Sequence, residues 1–246
     1  MAVAPFRTRL GRRRLLAAPA ALGLGIAWRS PQRAAARQTP PGPDLLVRGE
    51  TRLAGGPMAW RVVRDVAETA PTAAFERRAL GFAVATNPFA SLLLTDEATG
   101  SAARLAPGEA AFVRDGAFQR RESLGTGARS YLRIGLVAAA SARDAGGDRL
   151  LFADPTFAIA AGPVMLTLFR VTLEPGAAFT LPPAAGETLV LVEQGEAELE
   201  AGDSSPRDRL LTVVGSDTSY AIRSVAGAAM LYGAREATSV LIAIVE

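Results

Sequence analysis

A chain of 246 residues with 49% hydrophobic content can bury one or two full cores, yet it contains no histidine, cysteine or lysine. Without imidazole or thiolate, disulfides and the usual first shells of zinc, copper and non-haem iron are excluded, and only carboxylate or carbonyl oxygen sites remain. The formal charge of +3 comes from the amino terminus: residues 1–36 hold seven arginines and no acid, which leaves 20 arginines against 24 acids, about −4, interspersed along the rest of the chain. Such interspersion lacks the concentrated basic face of a nucleic-acid binder.

The first element reads as an export signal. Gly11-Arg12-Arg13-Arg14-Leu15-Leu16 has the arginine pair and following apolar residues of a twin-arginine signal. The apolar run Leu15 to Trp28 is short for a membrane span and is broken by Pro19, Gly23 and Gly25. It leads to Ala34-Ala35-Ala36, a small-residue stretch suited to cleavage. A cleaved signal over 1–36 is favoured over an uncleaved anchor, which would be the chain's one membrane contact, and over a basic tail. Export to the envelope or exterior is the expected destination.

Residues 37–44 are a proline-rich linker. Beyond it come short apolar runs ended by Gly, Pro or Asp: Ser91 to Leu94, Ala110 to Val113, Val164 to Leu173, Thr188 to Val192 and Val240 to Val245. With no helical stretch of 10–15 residues between them, the spacing predicts an all-β, antiparallel barrel or sandwich. Val164 to Leu173 alternates Met165, Thr167, Phe169, Val171 and Leu173 with Val164, Leu166, Leu168, Arg170 and Thr172. Both sets are largely apolar, which predicts a central strand.

From Gly176 the chain resembles the cupin superfamily. The family's first motif runs G-x5-H-x-H-x3-E-x6-G. Here Pro175-Gly176 opens it and Gly195-Glu196-Ala197-Glu198-Leu199 closes it, but Pro182, Ala184 and Thr188 stand at the ligand positions. Gly202 to Ser224 resembles the second motif, with Gly215 central and the histidine replaced near Thr218 or Tyr220. The first half repeats the second motif faintly, from Leu105-Ala106-Pro107-Gly108 to Gly116-Ala117-Phe118-Gln119, with Gln119 at the histidine position. The resemblance implies two tandem jelly-roll barrels, a degenerate one over 45–145 and a second over 150–246, with Asp144 to Asp148 as the turn between them. This reading is ahead of one larger, decorated barrel. Homodimerisation through barrel edges is common in the family and is an implied partner mode.

In such a barrel alternate residues point inward, so positions 182 and 184 share the wall where a metal would be held. Proline and alanine offer no ligand atom, so no metal and no cofactor are expected. The cavity is either filled core, with Phe169 or Phe179 as fillers, or a mostly apolar pocket; core filling is slightly ahead. The candidate ligand-binding residues are Arg170, Glu187, Thr188, Tyr220 and Gln119, since a facing arginine and carboxylate can grip an acidic or hydroxylated ligand. Arg121 and Glu122, in a run that alternates like an exposed strand, are read as rim residues. No catalytic residue is assigned: no base exists to activate Ser219 or another hydroxyl.

Three functions fit. The leading one is an exported, non-catalytic barrel protein that binds an unknown small molecule or a protein partner. The others are a metal-independent or oxygen-ligated isomerase or lyase, with Glu187 and Tyr220 as acid and base, and a structural, dimerising barrel.

Overall fold

The computed structural model describes residues 42–70, 72–202, 208–211 and 220–246. The expected signal, most of the linker, and Gly215, Thr218 and Ser219 lie outside the described residues. Residues 40–246 form one compact unit. Among the described residues there is no α-helix, only strands and one short 3-10 turn, Ala139–Ser141.

The first half of the chain gives β1 (Asp44–Leu53), β2 (Gly56–Ala67), β3 (Phe75–Arg77), β4 (Gly81–Val84), β5 (Leu92–Asp96), β6 (Ala102–Leu105), β7 (Ala110–Val113), β8 (Phe118–Ser123) and β9 (Arg129–Ala138). The second gives β10 (Arg149–Ile159), β11 (Gly162–Leu173), β12 (Ala178–Thr180), β13 (Glu187–Gln194), β14 (Glu196–Ala201), β15 (Asp208–Leu211), β16 (Ala221–Ala226), β17 (Ala229–Gly233) and β18 (Thr238–Val245). Each predicted apolar run falls on a strand. They build two barrels, each a five-stranded sheet facing a four-stranded one: β10-β2-β9-β4-β7 with β3-β8-β5-β6, and β1-β11-β18-β13-β16 with β12-β17-β14-β15. Every ladder between named strands is antiparallel.

The barrels exchange one strand each, which the sequence reading does not foresee. β1 pairs with β11 of the second barrel, Glu50 opposite Met165, and β10 pairs with β2 of the first, Phe157 opposite Met58. The chain therefore crosses between barrels at Ala54-Gly55 and again at Ala160-Ala161. The two crossings touch: a Cβ on Gly55, whose φ is +80°, would stand 2.6 Å from the Ala161 nitrogen, so only glycine fits. Asp144 to Asp148, expected between the barrels, instead joins β9 to β10 on either side of β2 in one sheet. Strand pairing depends on long-range hydrophobic registry, and local turn composition does not report it.

Both motif openings are the same turn. Glu174-Pro175-Gly176-Ala177 closes with Ala177 N–H on the Glu174 carbonyl at 2.9 Å, and Ala106-Pro107-Gly108-Glu109 with Glu109 N–H on the Ala106 carbonyl at 3.0 Å. Gly176 and Gly108 have φ of +75° and +87°, so each is a type II turn with proline then glycine at its centre.

The largest core lies between the two five-stranded sheets. Trp60, Phe82, Ile134 and Leu136 of the first meet Leu166, Leu168, Leu189, Leu191 and Leu241 of the second. Trp60 is fully buried, and its indole N–H donates to the Glu187 carbonyl at 2.7 Å, tying the sheets together. β11 is central as expected, sending Leu166 and Leu168 into this core and Val171 and Leu173 into the second barrel. That barrel is packed with Val190, Val192, Leu199, Leu231, Ile242 and Ile244, with Phe169 and Phe179 against them. Its interior is core. The first barrel's apolar lining is smaller, with Ala67, Ala83, Ala85 and Ala111 among its members.

Candidate functional site

Small linings leave room for long side chains, and the first barrel uses that room for charge. On β2 the face that carries Val63 and Ala67 also carries Arg61 and Asp65. Beside it β9 places Tyr131 opposite Asp65 and Arg133 opposite Val63. Across the barrel, β8 sends Gln119, Arg121 and Ser123 inward on one alternation, all buried. Arg78 follows β3, and Asp148 immediately precedes β10.

Asp65 is the hub. Its Oδ2 accepts a short hydrogen bond from the Tyr131 hydroxyl and lies 3.1 Å from Arg133 Nε, 3.3 Å from Arg78 Nη1 and 3.7 Å from Arg121 Nη1. Its Oδ1 accepts from the Val66 N–H at 2.7 Å. Arg121 Nη1 donates to the Tyr131 oxygen at 2.7 Å, and its guanidinium carbon is 5.1 Å from that ring's centre. Two further carboxylates sit at the rim: Glu76 pairs with Arg78 at 2.8 Å, and Asp148 with Arg133 in a short contact.

The electrostatics follow from burial and order of contact. Burial opposes ionisation of Asp65, but the Tyr131 hydrogen bond and the Arg133 and Arg78 charges outweigh it and hold the carboxyl below its ordinary value. Asp148 goes the other way: burial, then the charge of Asp65, pushes it up to about 6 despite Arg133. Burial raises the Tyr131 hydroxyl, which therefore remains a donor, and burial lowers Arg121.

Beside this network opens a cleft of about 480 Å³, walled by Arg61, Arg77, Arg78, Arg133, Asp115 and Asp148 among others. Within it the side chains of Arg77 and Asp115 make no hydrogen bond or ion pair among the described residues. A second hollow of about 520 Å³ shares Arg61, Ala79 and Asp115 with it and adds apolar walls from Leu53, Met58, Leu80 and Leu136. Ionic groups next to an apolar wall are the composition of a small-molecule site.

The sequence candidates do not meet at one place. Gln119 alone joins this network, its amide oxygen 3.4 Å from Arg121 Nη2. Arg170 is a strut between barrels: it grips Glu193 through Nε at 2.7 Å and Nη2 at 3.0 Å, and donates from Nη1 to the Gly108 carbonyl at 2.8 Å. Glu187 shares the β13 face of Leu189 and Leu191, away from the second barrel's interior, and takes a short hydrogen bond from Ser224. Tyr220 packs against the inter-sheet core, with the Arg64 guanidinium carbon 5.7 Å from its ring centre. Thr188 is buried on the inward alternation of Val190 and Val192.

The rim assignment of Arg121 and Glu122 is corrected: they are only 4% and 6% exposed. Arg121 faces inward to Tyr131. Glu122 lies under the Glu68 segment, with which it forms a bridge, and is paired with Arg120. Asp65, Arg78, Tyr131, Arg133 and Asp148 were not singled out by sequence; the available signal was an aspartate on the same strand face as Val63 and Ala67.

The metal implied by the resemblance does not fit the second barrel. Ala184 packs against its apolar core, and of the three motif positions only Thr188 carries a polar side-chain atom. Among the described residues no three His, Cys, Asp or Glu side chains converge as ligands.

No protein-family model matches the chain, and no curated protein matches its sequence. Among solved structures it is similar to the protein YhaK from Escherichia coli at 14% identity and a TM-score of 0.47, covering 80% of this chain and 93% of that one. It is similar to GK1651 from Geobacillus kaustophilus at 12% and 0.48, covering 82% and 96%. A cupin 2 conserved barrel domain protein from Leptotrichia buccalis follows at 12% and 0.39, covering 81% and 89%.

Proposed function

We propose that the chain is an exported, non-catalytic cupin-domain protein whose first barrel binds a small molecule carrying an acidic group, without a metal. The observation that carries this reading is the cleft of about 480 Å³ in which Arg77 presents a guanidinium with no partner among the described residues. A guanidinium binds a carboxylate or phosphate through two parallel hydrogen bonds. The neighbouring hollow suits an apolar portion of the same molecule. The filled second barrel supports the choice of the first as the binding half.

Native mass spectrometry of the exported full chain is the test. It should find a retained acidic compound in native protein, bound about 10- to 100-fold more weakly after Arg77→Ala, the loss of one charged hydrogen-bonding partner. A chain that carries no such compound, or an Arg77→Ala variant that binds it unchanged, would overturn the reading. For the export part, changing Arg12 and Arg13 together to glutamine should hold the protein in the cytoplasm; undiminished secretion would refute the route.

One observation favours a second reading, a metal-independent isomerase or lyase. The Asp148 carboxyl, at about 6, is suited to carry a proton in the cleft near neutral pH. Asp148→Asn separates the readings, since it should abolish turnover of the identified compound while sparing its binding if chemistry occurs.

A further inference from the structure

A third, much smaller cavity has a volume of about 10 Å³. That is room for one water-sized particle. It shares Arg61, Ala79 and Arg133 with the outer cleft. Its charged walls are Arg61, Arg121 and Arg133, and no carboxylate lines it; the rest is apolar, with Val63, Phe82 and Ile134.

The surrounding network is short of negative charge at this depth. Arg78 and Arg121 are each at most 7% exposed, and the Arg133 side chain is 16% exposed, while Asp65 is the one carboxylate of the hub at comparable depth. Glu76, by contrast, is 60% exposed. The Nε atoms of Arg78 and Arg121 are buried without a hydrogen-bond acceptor, whereas Arg133 Nε faces Asp65 Oδ2 at 3.1 Å. A buried, unsatisfied guanidinium N–H is costly, so an acceptor is wanted at Arg121. Water meets that want poorly: its two hydrogens find no acceptor side chain in the lining. A monoatomic anion accepts from every side and offsets the excess charge.

We infer that the first barrel holds a halide, chloride by abundance, in the cavity lined by Arg121 and Arg133. The site differs from the one proposed for the outer cleft in using Arg121 and leaving Arg77 aside, although both are lined by Arg61 and Arg133. Its role is to let a barrel interior keep three arginines around one aspartate.

Thermal unfolding of the full chain at pH 7.5 tests this, in sodium chloride or bromide against sodium methanesulfonate at equal ionic strength. The halides should raise the midpoint saturably, by about 3–6 °C at ten times the dissociation constant. Arg121→Met should lose that dependence, and Arg77→Ala should keep it. Equal midpoints in all three salts would overturn the inference, as would an Arg121→Met variant that keeps the full halide effect. If Arg121→Met does not fold, crystals of the unaltered protein grown in bromide decide. An anomalous peak between Arg121 and Arg133 supports the site, and its absence there means that the cavity holds water.

Discussion

Asp65→Asn removes the charge at the centre of the first barrel and almost nothing of its shape. The aspartate is 6% exposed and has three guanidinium nitrogens within 3.1–3.7 Å. Breaking a buried ion pair from one side costs about 3–5 kcal/mol, because the remaining charges stay buried without compensation. For a domain of this size each kcal/mol moves the midpoint by about 2–4 °C, so the variant should melt about 6–20 °C lower by circular dichroism or calorimetry. Arg133→Gln in the same background should restore part of the loss, with a coupling of about 1–3 kcal/mol, since one uncompensated cation goes with it. The pH dependence has a definite sign. The folded carboxyl lies below its unfolded value, so its contribution is present above about pH 4 and is lost as pH falls through the folded value. A variant that melts within about 2 °C of the parent at pH 7.5 would mean that the arginines are compensated by something other than Asp65.

The remaining expectations concern its neighbour, the core and the lost metal motif. Asp148 titrates in the folded state at about 6, above its unfolded value of about 4, so the native state holds that proton more tightly. Its contribution is therefore greatest below about pH 4 and is lost as pH rises through about 6; Asp148→Asn should flatten the stability profile between pH 4 and 7, and an unchanged profile would refute the assignment. Trp60→Ala should cost about 3–5 kcal/mol, and unfolding in urea should remain one transition, because the core around Trp60 belongs to both barrels; two resolved transitions would count against that shared core. Restoring the motif as Pro182→His with Ala184→His and Thr188→Glu should give no stoichiometric metal by elemental analysis and should lower stability by about 1–3 kcal/mol, because position 184 packs on a filled interior. Tight metal uptake by that variant would show that the interior can repack around ligands.

Much of the fold is legible in the chain because its signals are local. Ala110 to Val113 reads as an apolar run closed by Arg114-Asp115-Gly116, and the strand occupies the same four residues. Pro107-Gly108 and Pro175-Gly176 specify their turns through a fixed proline φ followed by a glycine at positive φ. The two faces of Val164 to Leu173 separate into two cores as the alternation requires. What escaped is non-local. The exchange of β1 and β10 depends on which sheet offers the better registered apolar face, and residues 44–53 carry no mark of that. Arg121 and Glu122 read as rim residues for a related reason: a charged alternation normally means solvent, and here Arg121 finds Asp65 and Tyr131 while Glu122 finds Arg120. Glu187 is a candidate by its proximity to the motif position Thr188, but a side chain one residue along a strand points to the opposite face.

The motif and the chemistry have separated between the barrels, and side-chain volume accounts for it. The second barrel keeps the clearer motif, yet that motif is carried by residues of the turns and strand ends. Gly176 is one, and Gly195 is another, where a Cβ would stand 2.7 Å from Thr238 Oγ1. These fix backbone geometry and leave the lining free to vary. There Val190, Val192, Ile242 and Ile244 fill the interior beside the buried Thr188. In the first barrel the motif is faint, but Ala67, Ala83, Ala85 and Ala111 in its lining leave width for the stems of Arg78, Arg121 and Arg133. A guanidinium brought into such a space must find acceptors, and Asp65 and Tyr131 supply the inner ones while Asp148 and Glu76 supply those at the rim. Once built, that ladder of charge ends at the cleft and leaves Arg77 beyond its last carboxylate. Filling the first barrel instead, by Ala83→Leu with Arg121→Leu, should therefore remove cleft binding without touching any residue that lines the cleft's outer wall.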